Sequence, residues 1–204
     1  MLILIRHGQS TANEAGLLAG HHDTPLTEKG RAQARALAGS LSGVARLVAS
    51  PLSRTMETAR LAVPGVELEI DAAFVEQHFG EHEGRAMADL SPEELATFRS
   101  DHDANLGGGE SLAELDVRVH ARLNELMDET DSLLRSRSEH IVVVSHVSPI
   151  KSAVTWALGV PGNVAWRMRL DNASITTIAV REGGPYLLTY NDVSARTAQA
   201  SIER

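Results

Sequence analysis

Leu2-Ile3-Leu4-Ile5-Arg6-His7-Gly8 is the stretch on which the fold turns. Four apolar residues in succession, with no polar residue alternating, describe a strand covered on both faces, as parallel strands are. The run stops at Arg6 and His7, which sets a guanidinium and an imidazole at the strand's carboxyl end. Ile141-Val142-Val143-Val144 repeats the pattern and runs into Ser145-His146, with Pro149 placed to occupy the first position of the next helix. Between these runs, Ala34, Leu37 and Leu41 recur at helical spacing after Leu26, and Val44 to Ala49 reads as a second strand. Pro51 to Val63 reads as a helix with Arg54 in its first turn, ended by Pro64-Gly65, and Val66 to Ile70 as a short third strand.

Two later helices declare their starts. Ser91-Pro92-Glu93-Glu94 and Ser111-Leu112-Ala113-Glu114 both carry Ser at the cap and Glu three residues on. In the second, Leu112, Leu115, Val119, Leu123 and Leu126 form a stripe that should face a sheet, leaving Arg118, Arg122 and Glu125 on a solvated face. Ser174 to Val180 and Tyr186 to Tyr190, joined across Glu182-Gly183-Gly184-Pro185, read as closing strands, one of them an antiparallel edge. From Asn191 onward the chain is polar and expected to be loose. Strands alternating with helices predict an α/β fold, a three-layer sandwich with a mostly parallel central sheet. With 204 residues and 43% hydrophobic content there is material for one core, so a single domain over 1–204 is expected.

A formal charge of −8 supplies no general positive field, which argues against nucleic acid and acidic membrane surfaces as partners. An anion site would have to be a local gathering of Arg and His. Cysteine is absent, which removes disulfides and thiol chemistry and fits a cytoplasmic chain. The apolar start, Met1 to Ile5, is too short for a signal peptide, and no later run is long enough to span a bilayer.

Ligands of open α/β sheets bind at the carboxyl ends of the strands. Arg6, His7 and His146 are expected at that edge, and Arg54 follows the second strand to it through Ser50-Pro51-Leu52-Ser53. Two guanidiniums and two imidazoles suit a phosphoryl group in transit. Its charge spreads over three oxygens, Arg matches them two at a time, and a neutral imidazole held at its other nitrogen can attack phosphorus. A leaving alkoxide needs a proton, for which Glu76, beside Phe74, Val75 and Phe79, is the first choice of general acid; these apolar neighbours would hold it protonated. Spacing alone leaves Glu81 and Glu83 open.

Leu4 to Asn13, Asp23 to Gly30, Ser50 to Arg54, Glu76 to Gly84 and Gly108 to Ser111 together resemble, in order, the segments of the histidine phosphatase superfamily, also called phosphoglycerate mutase-like. The resemblance spans nearly the whole chain and implies a metal-independent, cofactor-free enzyme of phosphoglycerate mutase-like fold. It implies that His7 is phosphorylated, that Arg6, Arg54 and His146 hold phosphoryl oxygens with Asn13, Gly20 and Val147 bordering the pocket, and that Glu76 is acid and then base. Residues 84–109 correspond to a cap that selects the substrate, expected to be a small phosphorylated metabolite. Members usually have Gly after the second histidine, whereas Val147 stands here, and a β-branched residue resists positive φ and narrows a pocket. His146-Val147-Ser148-Pro149-Ile150-Lys151 is similar to a branch of alpha-ribazole phosphatase-like acid phosphatases.

Other readings carry weight. Glu76-Gln77-His78-Phe79-Gly80 is similar to Glu-Arg-His-Tyr-Gly of phosphoglycerate mutases, but Gln77 replaces their Arg, and no adjacent basic pair lies between Gly84 and His146 to grip a glycerate carboxylate. A catalytically silent phosphoester-binding scaffold would be expected to have lost His7 or Arg54, and both are present, whereas a role in homo-oligomer assembly is compatible with catalysis. A single histidine at a strand end is ordinarily a hydrogen-bonded structural residue; two in matching motifs point to chemistry. His21-His22-Asp23 and His78 with His82 offer ligand types but no spacing that presents three to a metal, so no metal is expected and His21 and His22 are assigned to the pocket mouth. Gly107-Gly108-Gly109 should let the chain turn into the helix capped by Ser111. Trp156 and Trp166 read as core or interface residues, and a homodimer is compatible with a strand edge or with the surface around Trp166.

Overall fold

The computed structural model describes residues 1–105, 107–129, 138–181 and 184–195. Its sheet consists of β1 (Leu2–Arg6), β2 (Val44–Ala49), β3 (Leu68–Ile70), β4 (His140–Ser145), β5 (Ile175–Arg181) and β6 (Gly184–Asp192), in the order β3-β2-β4-β1-β5-β6. The β3–β2, β2–β4 and β4–β1 pairs are parallel. Both closing strands run antiparallel to the neighbour that precedes them, β5 against β1 and β6 against β5, so the antiparallel part is larger than the one edge strand expected.

Alternation along β1 shows why its run is uniformly apolar. Leu2 and Leu4 pack with Val143, Leu115, Val119 and Ile150 on one face, while Ile3 and Ile5 pack with Val142, Val144, Leu37 and Ala59 on the other. Helices α5 (Leu112–Glu129) and α6 (Val147–Leu158) cover the first face; α2 (Glu28–Ala36) and α3 (Ser53–Ala62) cover the second. This is the three-layer α/β sandwich, and each such side chain fully buried contributes roughly 1.5–3 kcal/mol. A third cluster of Leu18, Phe79, Leu90 and Phe98, with Trp166 packed against it, joins α4 (Pro92–Ser100) to the loops above the sheet edge.

Both predicted capping boxes form. Ser91 Oγ accepts from Glu94 N at 3.1 Å and Ser111 Oγ from Glu114 N at 3.1 Å, with each Glu returning a bond to the cap amide. Such caps contribute about 1 kcal/mol each. A short helix, α1 (Thr11–Ala15), was not anticipated; it starts on a Ser10–Asn13 box and stops at Gly16 in the left-handed region.

Several expectations are corrected. Pro149 is the third residue of α6, not the first, which is tolerated because the opening amides of a helix lack intrahelical acceptors in any case. Arg118 and Arg122 are part-buried and paired rather than free on a solvated face: Arg118 bonds Glu110 and the Ala73 and Glu76 carbonyls, and Arg122 pairs with Asp71 at 2.6 Å. Their long stems bring charge back to the loop after β3. Asn191 and Asp192 belong to β6. Glu182, Gly183 and the chain from 196 onward lie outside the described residues. No described helix is long and apolar enough to cross a membrane.

Candidate active site

Register places the first two site residues. Arg6 pairs with Ser145 across the parallel β1–β4 ladder, and the His7 amide donates to the Ser145 carbonyl at 3.0 Å. The next residues, His7 and His146, therefore emerge side by side, with ring centroids 5.1 Å apart and nearly edge to face. From the other side of β4, Ala49 pairs with Val144, so Ser50 arrives beside His146 and its Oγ lies 2.7 Å from His146 Nε2. Arg54 enters one turn later from the start of α3.

Around His7 the loop is held closely. Its Nδ1 donates to the Gly8 carbonyl at 2.7 Å, which leaves Nε2 as the lone-pair nitrogen. The Gly8 amide donates to Thr58 Oγ1 at 3.0 Å, and Asn172 Nδ2 donates to the His7 carbonyl at 3.2 Å. A Cβ on Gly8 would lie 2.4 Å from the Gly30 carbonyl oxygen, and one on Gly30 would lie 2.1 Å from that of Gln9. That backbone contact is the physical content of the motif ending at Gly30.

One pocket collects Arg6, His7, Asn13, Gly20, Arg54, Glu76 and Val147. His146 stands behind His7, fully buried. Burial, then Arg54 and Arg6, push His7 well below the ordinary imidazole value, with the Gly8 bond opposing. Burial, then His7, Arg54, Arg6 and Arg118, push His146 the same way. Burial brings Arg6 down to about 10, against the pull of Glu76 and Asp171, so it remains a cation at neutral pH. Arg6 Nε, Arg54 Nε and His146 Nδ1 are buried without a hydrogen-bond partner. Buried polar groups left in this way call for a ligand or water to satisfy them.

Glu76 is not enclosed by apolar side chains as expected. Its carboxylate accepts three backbone amides: Gln77 at 2.9 Å, and Val147 and Ser148 at 3.1 Å each. Val147 and Ser148 open α6, so Glu76 sits at that helix's N-terminus, where the dipole and exposed amides favour an acceptor. Val147 is helical and outside the positive-φ residues, which overturns the expected strain. Asn13 Oδ1 accepts from Ser10 N and Asn172 Nδ2, leaving the donor end of its amide for the pocket.

Glu81 is exposed, whereas Glu83 is a buried organiser accepting from the amides of His21, His22 and Phe79. The loop it holds turns the Gly20 and His22 carbonyls onto Arg54, at 2.7 and 2.8 Å. His21 Nε2 donates to the Glu76 carbonyl at 2.8 Å, but neither His21 nor His22 is among the residues lining the pocket. Trp166 and Phe98 meet at 4.5 Å in the pocket wall, and Trp156 bonds Asn124. The 107–109 glycines do more than turn the chain: Glu81 N donates to the Gly107 carbonyl and Glu110 N to the His78 carbonyl, tying them to the Glu76 loop. Among the described residues no group of three His, Cys, Asp or Glu is arranged to hold a metal ion. Ser50, Thr58 and Asn172 were not assigned from sequence, although Ser50 lay inside a quoted motif; Glu83 had been an open alternative for the acid and Arg118 had been placed on a solvated face.

A family model for the histidine phosphatase superfamily (branch 1) matches residues 2–193. The chain belongs to this superfamily. Among similar sequences, a probable phosphoglycerate mutase GpmB of Enterobacter sp. (strain 638) is 34% identical over 192 residues, 90% of this chain and 86% of that protein. Among solved structures, phosphoserine phosphatase of Entamoeba histolytica in complex with 3-phosphoglyceric acid aligns with a TM-score of 0.85 at 27% identity, covering 95% of this chain and 98% of its own. The alpha-ribazole phosphatase from Shigella flexneri aligns with a TM-score of 0.81 at 28% identity, covering 94% and 96%. These two solved structures are named phosphatases, whereas the sequence relative is named a probable mutase.

Proposed function

We propose that the chain is a metal-independent phosphatase that hydrolyses a small phosphate monoester through a phosphohistidine on His7. The observation that carries this reading is the His7 ring, kept neutral first by burial and then by Arg54 and Arg6, and held at Nδ1 so that Nε2 is the nucleophile. His7 Nε2 attacks phosphorus and the ester P–O bond breaks, while Glu76 delivers a proton to the departing alkoxide. Water then attacks the phosphohistidine, Glu76 takes its proton, and inorganic phosphate leaves with Nε2 restored.

Arg6, Arg54 and Asn13 from the pocket wall, and His146 from behind His7 through its Nδ1, hold the phosphoryl oxygens, with Gly20 and Val147 at the border. For His146 Nδ1 to donate, Nε2 must accept from Ser50 Oγ–H, and the 2.7 Å contact allows that tautomer. Residues 84–109 cap the pocket within a single domain, and their Met87 and Phe98 supply apolar wall.

The test is single-turnover labelling with a radioactive phosphoryl donor. Wild type should carry an acid-labile label that His7→Ala lacks; hydrolysis by His7→Ala at the wild-type rate would refute the mechanism. The mutase relative favours a second reading, transfer between phosphoglycerates. Given 3-phosphoglycerate and bisphosphoglycerate, the phosphatase should release phosphate. Rapid formation of 2-phosphoglycerate with little free phosphate would establish the mutase instead.

A further inference from the structure

Five formally charged side chains line the pocket: Arg6, Arg54, Glu76, Asp116 and Lys151. Four have fixed partners. Arg6 and Arg54 donate to backbone carbonyls, Glu76 accepts its three amides, and Asp116 takes His102 Nε2 at 2.9 Å and the Ser152 hydroxyl. Lys151 has no hydrogen bond or ion pair among the described residues, although it is half-buried. Burial lowers its affinity for a proton, Glu76 opposes this, and Arg6 adds to it, so the ammonium lies in the field of the reacting groups. A partly desolvated cation without a partner is costly, and in a pocket the ligand can offset that cost.

We propose that Lys151, with the neighbouring Ser148 hydroxyl, forms a second anion subsite that binds a carboxylate on the alcohol portion of the ester. The inference rests on the phosphatase reading only for what becomes of the bound ester. Lys151 follows Val147 and Ser148 by one turn of α6, about 5.4 Å along the axis, so the carboxylate lies a few atoms from the ester oxygen. Ser148 Oγ has only a long contact, 3.5 Å to Gln77 Oε1, and is able to turn to a ligand. One ammonium and one hydroxyl match the single charge of a carboxylate, whereas a second phosphate would call for a guanidinium fork or more donors. The substrate class is then a short phosphorylated hydroxy acid or amino acid.

Two ligands isolate the effect. 3-Phosphoglycerate and glycerol 3-phosphate differ in having a carboxylate or a hydroxymethyl group at the same end. Binding to His7→Ala protein, measured calorimetrically, avoids turnover. The expected preference for 3-phosphoglycerate is about tenfold or more, collapsing to within about threefold in the Lys151→Met background and largely kept with Lys151→Arg. Lys151→Gln serves as a second neutral variant if the methionine protein does not fold. No preference with Lys151 in place, a preference that survives its neutralisation, or an equal weakening of both ligands would overturn the subsite; the last would assign Lys151 to the phosphoryl group. Phosphate release by wild type reads the phosphatase separately. Selective binding without hydrolysis would sink the phosphatase and leave the subsite standing.

Discussion

Ser50 Oγ and His146 Nε2 lie 2.7 Å apart in a fully buried contact at the ends of β2 and β4. The hydroxyl fixes the plane of the ring and which of its nitrogens is left to donate. Ser50→Ala should lower kcat/KM about ten- to a hundredfold, corresponding to one lost charge-orienting bond, while the far-ultraviolet spectrum stays native. A variant with wild-type kcat/KM would show that the serine does not set the tautomer.

Gly20 has φ +49°, and a Cβ there would lie 2.0 Å from Glu83 Oε1. Gly20→Ala must therefore displace the carboxylate that holds the loop presenting carbonyls to Arg54. Inhibition by vanadate should weaken by about tenfold or more with kcat less affected, because an anion clamp rather than the nucleophile is disturbed. Unchanged vanadate inhibition would refute that chain of contacts.

Glu76→Gln keeps the size of the side chain but removes its ability to exchange a proton. Loss of rate should be about a hundredfold or greater on alkyl phosphates and much smaller for the phosphorylation of His7 by nitrophenyl phosphate, whose leaving group needs little protonation. Equal losses in single-turnover assays of both esters would argue against Glu76 as the acid.

The two central imidazoles also impose a pH dependence on stability. Both are held well below the ordinary value in the native protein, by burial first and then by neighbouring groups, whereas in the unfolded chain they titrate near about 6.5. Below that pH the unfolded chain binds more protons, so stability falls as pH falls. Tm should be level from about pH 8 to 7 and decline from about pH 6.5 downward, with a shallower decline in His7→Gln. A Tm that rises on acidification through this window would contradict burial of both rings.

Dialysis against EDTA should leave turnover unchanged, since Arg6 and Arg54 supply the positive charge a metal would otherwise bring and the neutral His146 adds an N–H donor. Loss of activity restored by a divalent ion would end the metal-free mechanism.

Much of the fold was legible because strand burial and helix capping are local. The uniform apolar runs of β1 and β4 and the serine-to-glutamate spacing at α4 and α5 each correspond to what the chain does. Arg118 was misread because helical phase places a Cα on a face but says nothing of where a long side chain returns, here to the Ala73 and Glu76 carbonyls. The environment of Glu76 was misread for a related reason: its sequence neighbours are apolar, but its donors come from Val147 and Ser148, across the molecule.

Taken alone, the amino-acid order determined that parallel strands would end in Arg6-His7 and Ser145-His146, because patterning and chain direction are properties of contiguous residues. Which nitrogen of His7 is free, which carboxylate opens onto α6 and which lysine enters the pocket half-buried were decided only by the tertiary structure. Those properties depend on contacts between residues tens of positions apart, and a hydrogen bond exists only where folding brings donor and acceptor within about 3 Å.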